Sequence, residues 1–218
     1  HGLDAQSYDE ILATQSKDQD FAPRSGDDLY IVYTGGTTGM PRGVMWRQED
    51  LFFAGLQGGR PGGDAITRPE ELAETIEDNA RLHIHPAPPL IHGSSQFASW
   101  IALFSGGKCI YVPGKSFNPQ ASVALIDKEE VNVIKVVGDA MARPLAEEMA
   151  RVSGSYKFQS LYSIASAGAI LSDTVRDQIQ EQVPNCMIIN NFGASETGHQ
   201  GTALSGMGSG RTRFFMHH

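Results

Sequence analysis

A stretch rich in glycine and threonine, Tyr33–Val44, contains the residue types that could bind a polyphosphate. Its four glycines would let the backbone approach an anion closely, its three threonines offer hydroxyl donors, and its arginine adds a cation. The candidate contacts are Thr34, Gly35, Gly36, Thr37, Thr38, Gly39 and Arg42. The Gly-Lys-Ser/Thr ending of a Walker loop is missing, so this is a different kind of phosphate loop. An ordinary flexible turn is the alternative, but it does not explain so many hydroxyls beside a cation.

Other side chains that could do chemistry have simpler structural interpretations. His83 and His85 alternate on a predicted strand with no paired carboxylate or cysteine nearby, which favours core histidines over metal ligands. Cys109 and Cys186 lie in apolar strands and are interpreted as inert core thiols. Asp139 follows a strand and is interpreted as a helix cap. No Gly-x-Ser-x-Gly motif is present, so a hydrolase triad has no local support.

The elements that must position these residues follow from the hydrophobic pattern. Strands are predicted at 28–33, 108–112, 131–137, 161–165 and 186–190. Helices are predicted around 8–13, 50–56, 69–82, 95–103, 119–128, 139–151 and 172–182. Asn118 and Ser172 are predicted N-caps, and Gly58–Gly63 is predicted to be a flexible surface loop.

The predicted fold class is α/β, with a mostly parallel sheet flanked by helices. From about Lys108 onwards strands and helices alternate, and the strands are continuous apolar runs, as in sheets covered on both faces. Such sheets bind ligands at the carboxyl ends of their strands. Three loops of small residues follow predicted strands: Thr34–Gly43, Ser166–Ile170 and Asn191–Gly198. We expect the first and the last of these to face one cleft at the carboxyl edge of the sheet.

The composition excludes several functional classes. The chain has 218 residues, of which 40% are hydrophobic and 19% charged, so it is not a disordered acidic or basic chain. Its net charge of −8 and its lack of a basic tract argue against nucleic acid as a partner. Two cysteines form no disulfide framework, which favours a reducing cytoplasm. No apolar run approaches 18 residues, so no membrane span is predicted.

The glycine- and threonine-rich stretch resembles the phosphate loop of the adenylate-forming superfamily, which includes acyl-CoA synthetases, luciferases and peptide-synthetase adenylation domains. That loop typically reads Thr-Ser-Gly-Thr-Thr-Gly-x-Pro-Lys-Gly, and here Gly35 replaces the serine and Arg42 replaces the lysine. Arginine keeps the positive charge, so phosphate contact is expected to persist. The resemblance implies that this stretch binds ATP and that Thr34 has a catalytic role as well as a binding one.

The stretch Asn191–Gly198 resembles the Tyr-Gly-x-Thr-Glu loop of the same family. The resemblance implies that Phe192 stacks on adenine, that Ser195 binds the α-phosphate and that Glu196 contacts Mg²⁺. It further implies nucleotide contacts at Asn191, Phe192, Gly193, Ala194 and Ser195. A hard divalent ion is commonly held by one carboxylate together with nucleotide phosphates, which agrees with a role for Glu196. A Ser-Glu pair alone more often begins a helix, but its position after a strand favours the site.

Two further stretches resemble parts of that site. Ser166–Ile170 resembles the Gly-Ala-Pro stretch that lines the adenine and acyl pockets, with isoleucine in place of the proline. It implies nucleotide contacts at Gly168 and Ala169, and an acyl-pocket contact at Gly168. Pro89–Gly93 resembles a Pro-x-x-His-x-x-Gly neighbourhood in which the final glycine here comes early. It implies that His92 walls the carboxylate end of the acyl pocket.

The resemblance implies a partial N-terminal domain of the adenylate-forming type. Residues 1–28 would form a polar leading segment, and residues 29–218 the nucleotide-binding α/β region. The small C-terminal domain of the family, with its catalytic lysine, would be absent. We therefore expect this fragment alone to be inactive.

The implied reaction is ATP-dependent activation of a carboxylic acid to an acyl-adenylate, followed by thioester formation with coenzyme A. ATP, Mg²⁺ and coenzyme A would all take part. Trp46 and the run Gly138–Pro144 look most like bacterial ligases for fatty acids or sterol side-chain acids. Three alternatives stay open: a noncatalytic nucleotide-binding module, a peptide-synthetase type of adenylation domain, and an ordered remnant of a proteolysed enzyme.

Overall fold

The computed structural model describes residues 6–35, 39–61, 63–64, 66–76, 81–205 and 215–216. Within these ranges the chain forms one mostly parallel sheet, a separate two-stranded hairpin, and helices that pack on both faces of the sheet. The predicted α/β fold class is confirmed.

Helices and strands are numbered in chain order. The helices are α1 (Tyr8–Thr14), α2 (Gln48–Asp50), α3 (Glu71–Thr75), α4 (Gly93–Phe104), α5 (Pro119–Lys128), α6 (Gly138–Arg151) and α7 (Asp173–Gln182). The strands are β1 (Leu29–Thr34), β2 (Arg42–Arg47), β3 (His83–Pro86), β4 (Lys108–Cys109), β5 (Val133–Val136), β6 (Ser163–Ala167), β7 (Met187–Ala194), β8 (Gly198–Ser205) and β9 (Phe215–Met216). A π-helical turn, Leu51–Gly55, continues α2, and a 3₁₀ turn follows at Gln57–Gly59.

The large sheet has the strand order β4-β3-β5-β6-β7-β8-β9. Its first five strands are parallel, whereas β8 and β9 join the edge in antiparallel pairs. Ile134, Ile164 and Ile188 lie side by side on β5, β6 and β7, and all three are fully buried. β-branched side chains pack well on a pleated surface, so this row forms the centre of the sheet.

Helices cover the two faces of the sheet unequally. On one face, α5, α6 and α7 bury Ile126, Leu145 and Ile179 in the same cluster as the central isoleucines. On the other face α4 packs through small side chains, with Ala98 against Ile84. Because these side chains are small, α4 lies close to the backbone of the sheet on this second face.

The first strand does not join this sheet, which corrects the expected placement of Thr34–Gly43 at its carboxyl edge. β1 pairs only with β2 in antiparallel register, from Leu29 opposite Arg47 to Thr34 opposite Arg42. The stretch is therefore a hairpin loop and the start of a returning strand. Burial along β1 is mixed rather than continuous, with Val32 the buried residue, as suits an antiparallel pair with a solvated face.

Two predicted helices are shorter or wound differently than the sequence pattern suggests. Within 69–82 the described helix is α3 alone. Leu82 lies outside it, directly before β3, and its carbonyl accepts from the Lys108 N–H at 3.2 Å. Residues 77–80 lie outside the described ranges. The helix predicted over 50–56 is a wide turn in which the Leu56 N–H donates to the Leu51 carbonyl at 2.8 Å.

The glycines predicted to form a flexible loop at Gly58–Gly63 begin with a buried turn. Gly58 and Gly59 have φ of 63° and 74°, a region that disfavours other residues. A Cβ on either would lie 2.8 Å from a side-chain carbon, of Ile66 and Phe104 respectively. The backbone here is packed against its neighbours, so the glycines serve close approach rather than flexibility.

Both predicted N-caps are confirmed. The Asn118 side chain accepts from the Ala121 N–H at 3.0 Å, and the Ser172 hydroxyl accepts from the Val175 N–H at 3.4 Å. These contacts satisfy N–H groups that a helix start leaves without partners. The predicted strands also occur, with ends that differ by up to four residues.

The leading part of the chain is separate in character from the sheet. Residues 6–27 are exposed throughout, and α1 buries none of its side chains. The proposed division at residue 28 stays a prediction. Across the described ranges, every helix is too short or too polar to cross a membrane.

Candidate functional site

Thr34 and Arg42 form the last residue pair before the loop of the β1–β2 hairpin. The Thr34 hydroxyl donates to the Arg42 carbonyl at 3.3 Å, and the Arg42 side chain is exposed. The backbone has space around it here, because a Cβ at Gly35 or Gly39 would meet no heavy atom within 4 Å. Gly36, Thr37 and Thr38 lie outside the described residues. The described ends of the loop thus combine an accessible backbone with a cation.

The stretch Asn191–Gly198 is a strand and a tight turn rather than the loop predicted from its sequence. β7 continues to Ala194, and β8 starts at Gly198, leaving residues 195–197 as the turn. The Thr197 N–H donates to the Ala194 carbonyl at 3.2 Å, and the Ala194 N–H donates to the Thr197 hydroxyl at 3.3 Å. Four predicted loop residues are consequently strand residues: Asn191, Phe192, Gly193 and Ala194.

A β-bulge interrupts the β7–β8 pairing of this hairpin between Phe192 and Gly193. A Cβ at Gly193 would overlap the carbonyl of Gly198, so the two strands can meet there only through glycine. Bulges bend a strand and re-aim its side chains, often beside functional sites. Beyond the bulge Glu196 is exposed at the tip of the turn, and Phe192 is 53% exposed.

Trp46 joins the two hairpins. Its indole Nε1–H donates to the carbonyl of Ser195 at 2.8 Å, although the two residues are 149 positions apart. Close by, a Cβ on Gly198, which has φ of 66°, would lie only 2.8 Å from the Gly55 Cα. The segment that follows Arg42 thus holds the turn at residues 195–197, which contains Glu196 and is called the acidic turn below. Sequence reasoning singled out Trp46 only as a mark of one family branch and missed this contact.

His199 attaches the same turn at a further point. Its Nε2 lies 2.8 Å from the Thr202 hydroxyl and 3.2 Å from the Asn191 Oδ1, and its Nδ1 lies 2.5 Å from the Gln57 Nε2. A neutral ring with its proton on Nε2 satisfies these contacts together, since Gln57 then donates to Nδ1. Asn191 therefore contributes its amide oxygen to the hairpin, a use that the sequence did not predict.

His92 lies at the start of α4, beside the acidic turn. It is the N-cap residue, its carbonyl accepts from the Ser95 and Gln96 N–H groups, and its side chain is exposed. A Cβ on the next residue, Gly93, would lie 3.4 Å from the Ser195 hydroxyl and 3.5 Å from a methyl of Val32. The helix start, β1 and the acidic turn therefore meet at this glycine.

The loop Ser166–Ile170 follows β6 at the carboxyl edge of the sheet. The Ser166 hydroxyl donates to the Ala169 carbonyl at 3.0 Å and accepts from the Gly138 N–H at 2.9 Å. Gly168 has φ of 82° and is exposed. A Cβ on Gly138 would lie 2.7 Å from the Ala169 Cβ, so the start of α6 packs directly against this loop.

The strand register brings this loop beside the second hairpin. Ala167, which directly precedes Gly168, pairs with Asn191 on β7. Neighbouring Asn190 is buried, and its amide oxygen accepts from the Leu171 N–H at 3.2 Å. Two of the predicted nucleotide-binding stretches, Ser166–Ile170 and Asn191–Gly198, therefore lie next to each other at one edge of the parallel sheet.

Asp139 is not the helix cap that the sequence suggested. The N-cap of α6 is Val137, and Asp139 lies in the first turn of the helix. Its carboxylate accepts from the Ser172 N–H at 2.8 Å, from the Ser172 hydroxyl at 2.7 Å and from Arg143 at 2.8 Å. These partners hold the Asp139 pKa below its usual value although partial burial opposes them. Asp139 thus joins α6 to the start of α7.

The histidines and cysteines outside the site have structural surroundings. Buried His85 contacts the Ile110 carbonyl at 2.8 Å and the Ser122 hydroxyl at 2.9 Å, and burial lowers its pKa. Burial raises the pKa of the Cys186 thiol to about 12, which keeps it protonated and unreactive. No group of three or more His, Cys, Asp or Glu side chains in the described part of the chain is arranged to hold a metal.

An aromatic cavity of about 700 Å³ lies on the side of α4 that faces away from the sheet. Its lining includes Tyr30, Phe52, Phe53, Trp100 and Phe104. The rings of Trp100 and Phe104 stack with 5.9 Å between their centroids. Arg24 and Arg68 also line the cavity. The helix α4, whose Ala98 packs on Ile84, thus separates the cavity from the sheet.

Comparison of the sequence with known proteins gives a family match over nearly the whole chain. Residues 2–213 match the AMP-binding enzyme family. A medium/long-chain-fatty-acid–CoA/3-oxocholest-4-en-26-oate–CoA ligase of Mycolicibacterium smegmatis is 41% identical over 206 residues, 92% of this chain and 37% of the relative. A 3-oxocholest-4-en-26-oate–CoA ligase of Rhodococcus rhodochrous is 39% identical over 207 residues, with the same two coverages. The chain therefore spans somewhat over a third of the length of these relatives.

Comparison of the fold agrees with the sequence match. The inhibitor-bound N-terminal domain of FACL13 from Mycobacterium tuberculosis superposes with a TM-score of 0.71 at 19% identity. The match covers 90% of this chain and 45% of that domain. At this identity the likeness establishes the fold, and the described elements are part of a larger domain in that neighbour.

Proposed function

Because the chain belongs to the AMP-binding enzyme family, we propose that it forms part of the nucleotide site of an acid–thiol ligase. The enzyme would activate a carboxylic acid with ATP and then transfer the acyl group to coenzyme A. The observation that carries the proposal is the Trp46–Ser195 hydrogen bond, which holds the acidic turn against the strand that begins at Arg42. A phosphate-binding loop and a carboxylate that could face Mg²⁺ are thereby fixed in one body.

The first hairpin would bind the β- and γ-phosphates of ATP. Arg42 supplies the charge, and the backbone around Gly35 and Gly39 is open enough for an anion to approach. Thr34 and the loop threonines would donate hydroxyl hydrogen bonds. Thr34 already donates to the Arg42 carbonyl, so its hydroxyl would have to turn towards the nucleotide.

The second hairpin and the loop after β6 would bind the rest of the nucleotide. Phe192 presents a half-exposed ring for the adenine, and the Ser195 hydroxyl would bind the α-phosphate. Gly168 and Ala169 would complete the base site, because their loop adjoins β7 at the same edge of the sheet. Asn191, Gly193 and Ala194 would contribute through the backbone of β7.

The donors of this turn fit Mg²⁺ that is held mainly by the nucleotide. The described residues contain no cluster of three ligating side chains, whereas Glu196 offers one exposed carboxylate at the turn. One carboxylate together with phosphate oxygens is a common ligand set for this ion. When bound, Mg²⁺ would supply charge neutralisation on phosphate oxygens.

The proposed chemistry needs positioned groups but no enzyme nucleophile. The substrate carboxylate attacks the α-phosphorus of ATP and expels pyrophosphate, which leaves an acyl-adenylate. The thiol of coenzyme A, as its thiolate, then attacks the acyl carbon and expels AMP. The residues of this chain would orient the reactants and stabilise developing charge, which are the main sources of acceleration in such transfers.

The acid we propose is a fatty acid or a sterol side-chain acid. The Mycolicibacterium and Rhodococcus relatives are named for such acids and share about 40% of the residues compared. His92 and Gly168 would lie at the carboxylate end of the acyl pocket. We propose the cytoplasm as its compartment, because both cysteines are free thiols.

The test is pyrophosphate release by the longest product that the gene encodes, with ATP, Mg²⁺ and a panel of carboxylic acids. We expect release that depends on the acid, followed by acyl-CoA formation when coenzyme A is added. Binding of ATP without release for any acid would support a noncatalytic nucleotide-binding module instead. Release without acyl transfer to coenzyme A would indicate an adenylation domain with another acceptor.

A further inference from the structure

The loop after β6 carries the proposed base-binding backbone on residues that bury little surface. Gly168, Ala169 and Ile170 are exposed, and the next buried residue is Leu171. A segment with few buried apolar contacts opens easily, so it keeps one conformation only where hydrogen bonds fix it. The polar contacts of this loop therefore decide where the backbone of Gly168 and Ala169 lies.

Asp139, in the first turn of α6, binds the far end of this loop at three points. Its N–H donates to the Ile170 carbonyl at 3.2 Å. Its carboxylate accepts from the Ser172 N–H at 2.8 Å and from the Ser172 hydroxyl at 2.7 Å. Hydrogen bonds to an ionised group are stronger than neutral ones, and a pair of them fixes orientation as well as position. The end of the loop is thereby attached to α6.

Asp139 is itself held in place by its own helix. Arg143, one turn later on α6, donates to the Asp139 carboxylate at 2.8 Å, and a carboxylate in the first turn interacts favourably with the helix dipole. The helix is in turn fixed on the sheet, because its Leu145 and Met149 are fully buried. Asp139 therefore connects the loop to a rigid part of the core.

Strand β7 holds the same loop from another direction. The amide oxygen of Asn190, a buried residue of β7, accepts from the Leu171 N–H at 3.2 Å. Leu171 is thus bound to the sheet, while the residues on either side of it, Ile170 and Ser172, are bound to Asp139. Removal of the Asp139 carboxylate would leave the Ser172 end of the loop without its contacts to α6.

We propose that Asp139 is a positioning residue of the nucleotide site, which holds the Gly168–Ala169 backbone where the adenine base binds. It acts through Ser172 and the Ile170 carbonyl and does not touch the nucleotide. The inference rests on the proposed function, which it deepens. It makes the base half of the site depend on Asp139, whereas the phosphate half lies on the β1–β2 hairpin, in a separate sheet.

The test measures the binding of AMP and of inorganic tripolyphosphate, each with Mg²⁺, to the longest product of the gene and to two variants. AMP reports on the base half of the site, and tripolyphosphate reports on the phosphate loop. In Asp139→Ala we expect the Kd for AMP to rise about 10-fold and the Kd for tripolyphosphate to stay within about two-fold, because only the base-binding backbone is misplaced. Asp139→Asn keeps one oxygen that can accept from the Ser172 N–H, so its Kd for AMP should rise less.

Asp173→Ala is the matched control. Asp173 also lies in the first turn of a helix and pairs with an arginine of that helix, Arg176, at 2.7 Å. We expect it to leave both dissociation constants near the wild-type values. Equal weakening of both ligands in Asp139→Ala would show a general loss of structure, and unchanged AMP binding would show that the loop does not need this support. Either result would overturn the inference.

Failure of the proposed function gives a different result, because ligand binding and turnover are measured separately. A wild type that binds AMP but releases no pyrophosphate from ATP with any acid contradicts the ligase activity, and the comparison of AMP binding between variants still decides the role of Asp139. A wild type that binds neither AMP nor tripolyphosphate overturns both proposals.

Discussion

The indole N–H of Trp46 and the carbonyl of Ser195 are 2.8 Å apart, and this hydrogen bond connects the two hairpins of the candidate site. Each hairpin carries part of the proposed chemistry, with Arg42 at the start of one strand and Glu196 at the tip of the other turn. The two hairpins belong to different sheets, so no shared ladder sets their distance. Side-chain contacts such as this one must do so.

We expect Trp46→Phe to weaken the proposed nucleotide site while leaving the fold intact. Phenylalanine keeps a ring but loses the N–H, which leaves the Ser195 carbonyl without this donor at a cost of about 1 kcal/mol. We expect kcat/KM for ATP to fall about 10-fold, because small misplacements of binding groups are costly in transfer reactions. Steady-state pyrophosphate release over a range of ATP concentrations provides the measurement.

Trp100→Phe is the matched control, because the Trp100 indole donates to the Tyr30 hydroxyl at 3.2 Å, away from the acidic turn. It should change stability slightly and leave kcat/KM for ATP near the wild-type value. If both variants lose the same activity, the Trp46–Ser195 contact has no special role in the site.

Glu196→Gln should lower adenylation sharply without a change in stability. The side chain is exposed, and its proposed task is to help hold Mg²⁺, for which an amide is a poorer ligand. Loss of such an electrostatic element commonly lowers the rate on the order of 10²-fold. Release of pyrophosphate at saturating ATP is measured as Mg²⁺ is raised, with Glu181→Gln on α7 as the exposed control. Unchanged release at low and high Mg²⁺ would remove Glu196 from the mechanism.

Gly138→Ala should destabilise the protein and displace the loop after β6. The position has φ of 49°, and the added Cβ would lie 2.7 Å from both the Ala169 Cβ and the Ile170 carbonyl. We expect a loss of about 3 kcal/mol in the free energy of unfolding, from overpacking together with backbone strain. We also expect a higher KM for ATP, since Ala169 belongs to the proposed base site.

Gly154→Ala isolates the backbone part of that effect. Gly154 has φ of 82°, but a Cβ there would meet no atom within 4 Å, so about 1 kcal/mol is expected from strain alone. Urea unfolding of both variants gives the comparison. Equal losses would mean that the contact between Gly138 and the loop is easily relieved.

Lys135→Met should stabilise the protein near neutral pH, by an amount that shrinks as the pH rises. The folded-state pKa of about 8 is below the ordinary value of 10.5, so the unfolded chain binds more protons between these values. The free energy of unfolding of the wild type therefore increases as the pH rises from 8 towards 10.5. Below pH 8 the full cost of burying the charged Lys135 ammonium is present, on the order of 3 kcal/mol. Thermal unfolding of both proteins from pH 7 to 10 measures the difference. A difference that does not vary with pH would show that the ammonium is not buried alone.

The sequence by itself determined the alternating architecture and the identity of the candidate residues. Near-continuous apolar runs such as Val133–Val136, interrupted by Lys135, indicate strands buried on both faces. The caps at Asn118 and Ser172 are local contacts that residue type alone predicts. The phosphate loop was identified because its residue types suit the binding of an anion, whereas the Ser195–Glu196 pair was identified through its resemblance to a family loop. All of these signals lie within a few positions of the residues that produce them.

Only the tertiary structure decided which strands share a sheet and what each side chain contacts. The β1–β2 hairpin is excluded from the parallel sheet, and β7 continues through Ala194 because β8 returns to pair with it. Asp139 binds Ser172 at the start of α7 instead of capping its own helix. The Trp46–Ser195 bond and the burial of Lys135 depend on neighbours up to 149 positions away in the chain. Periodicity shows that a residue is buried, but its partners follow from the packing of distant segments, which no local pattern encodes.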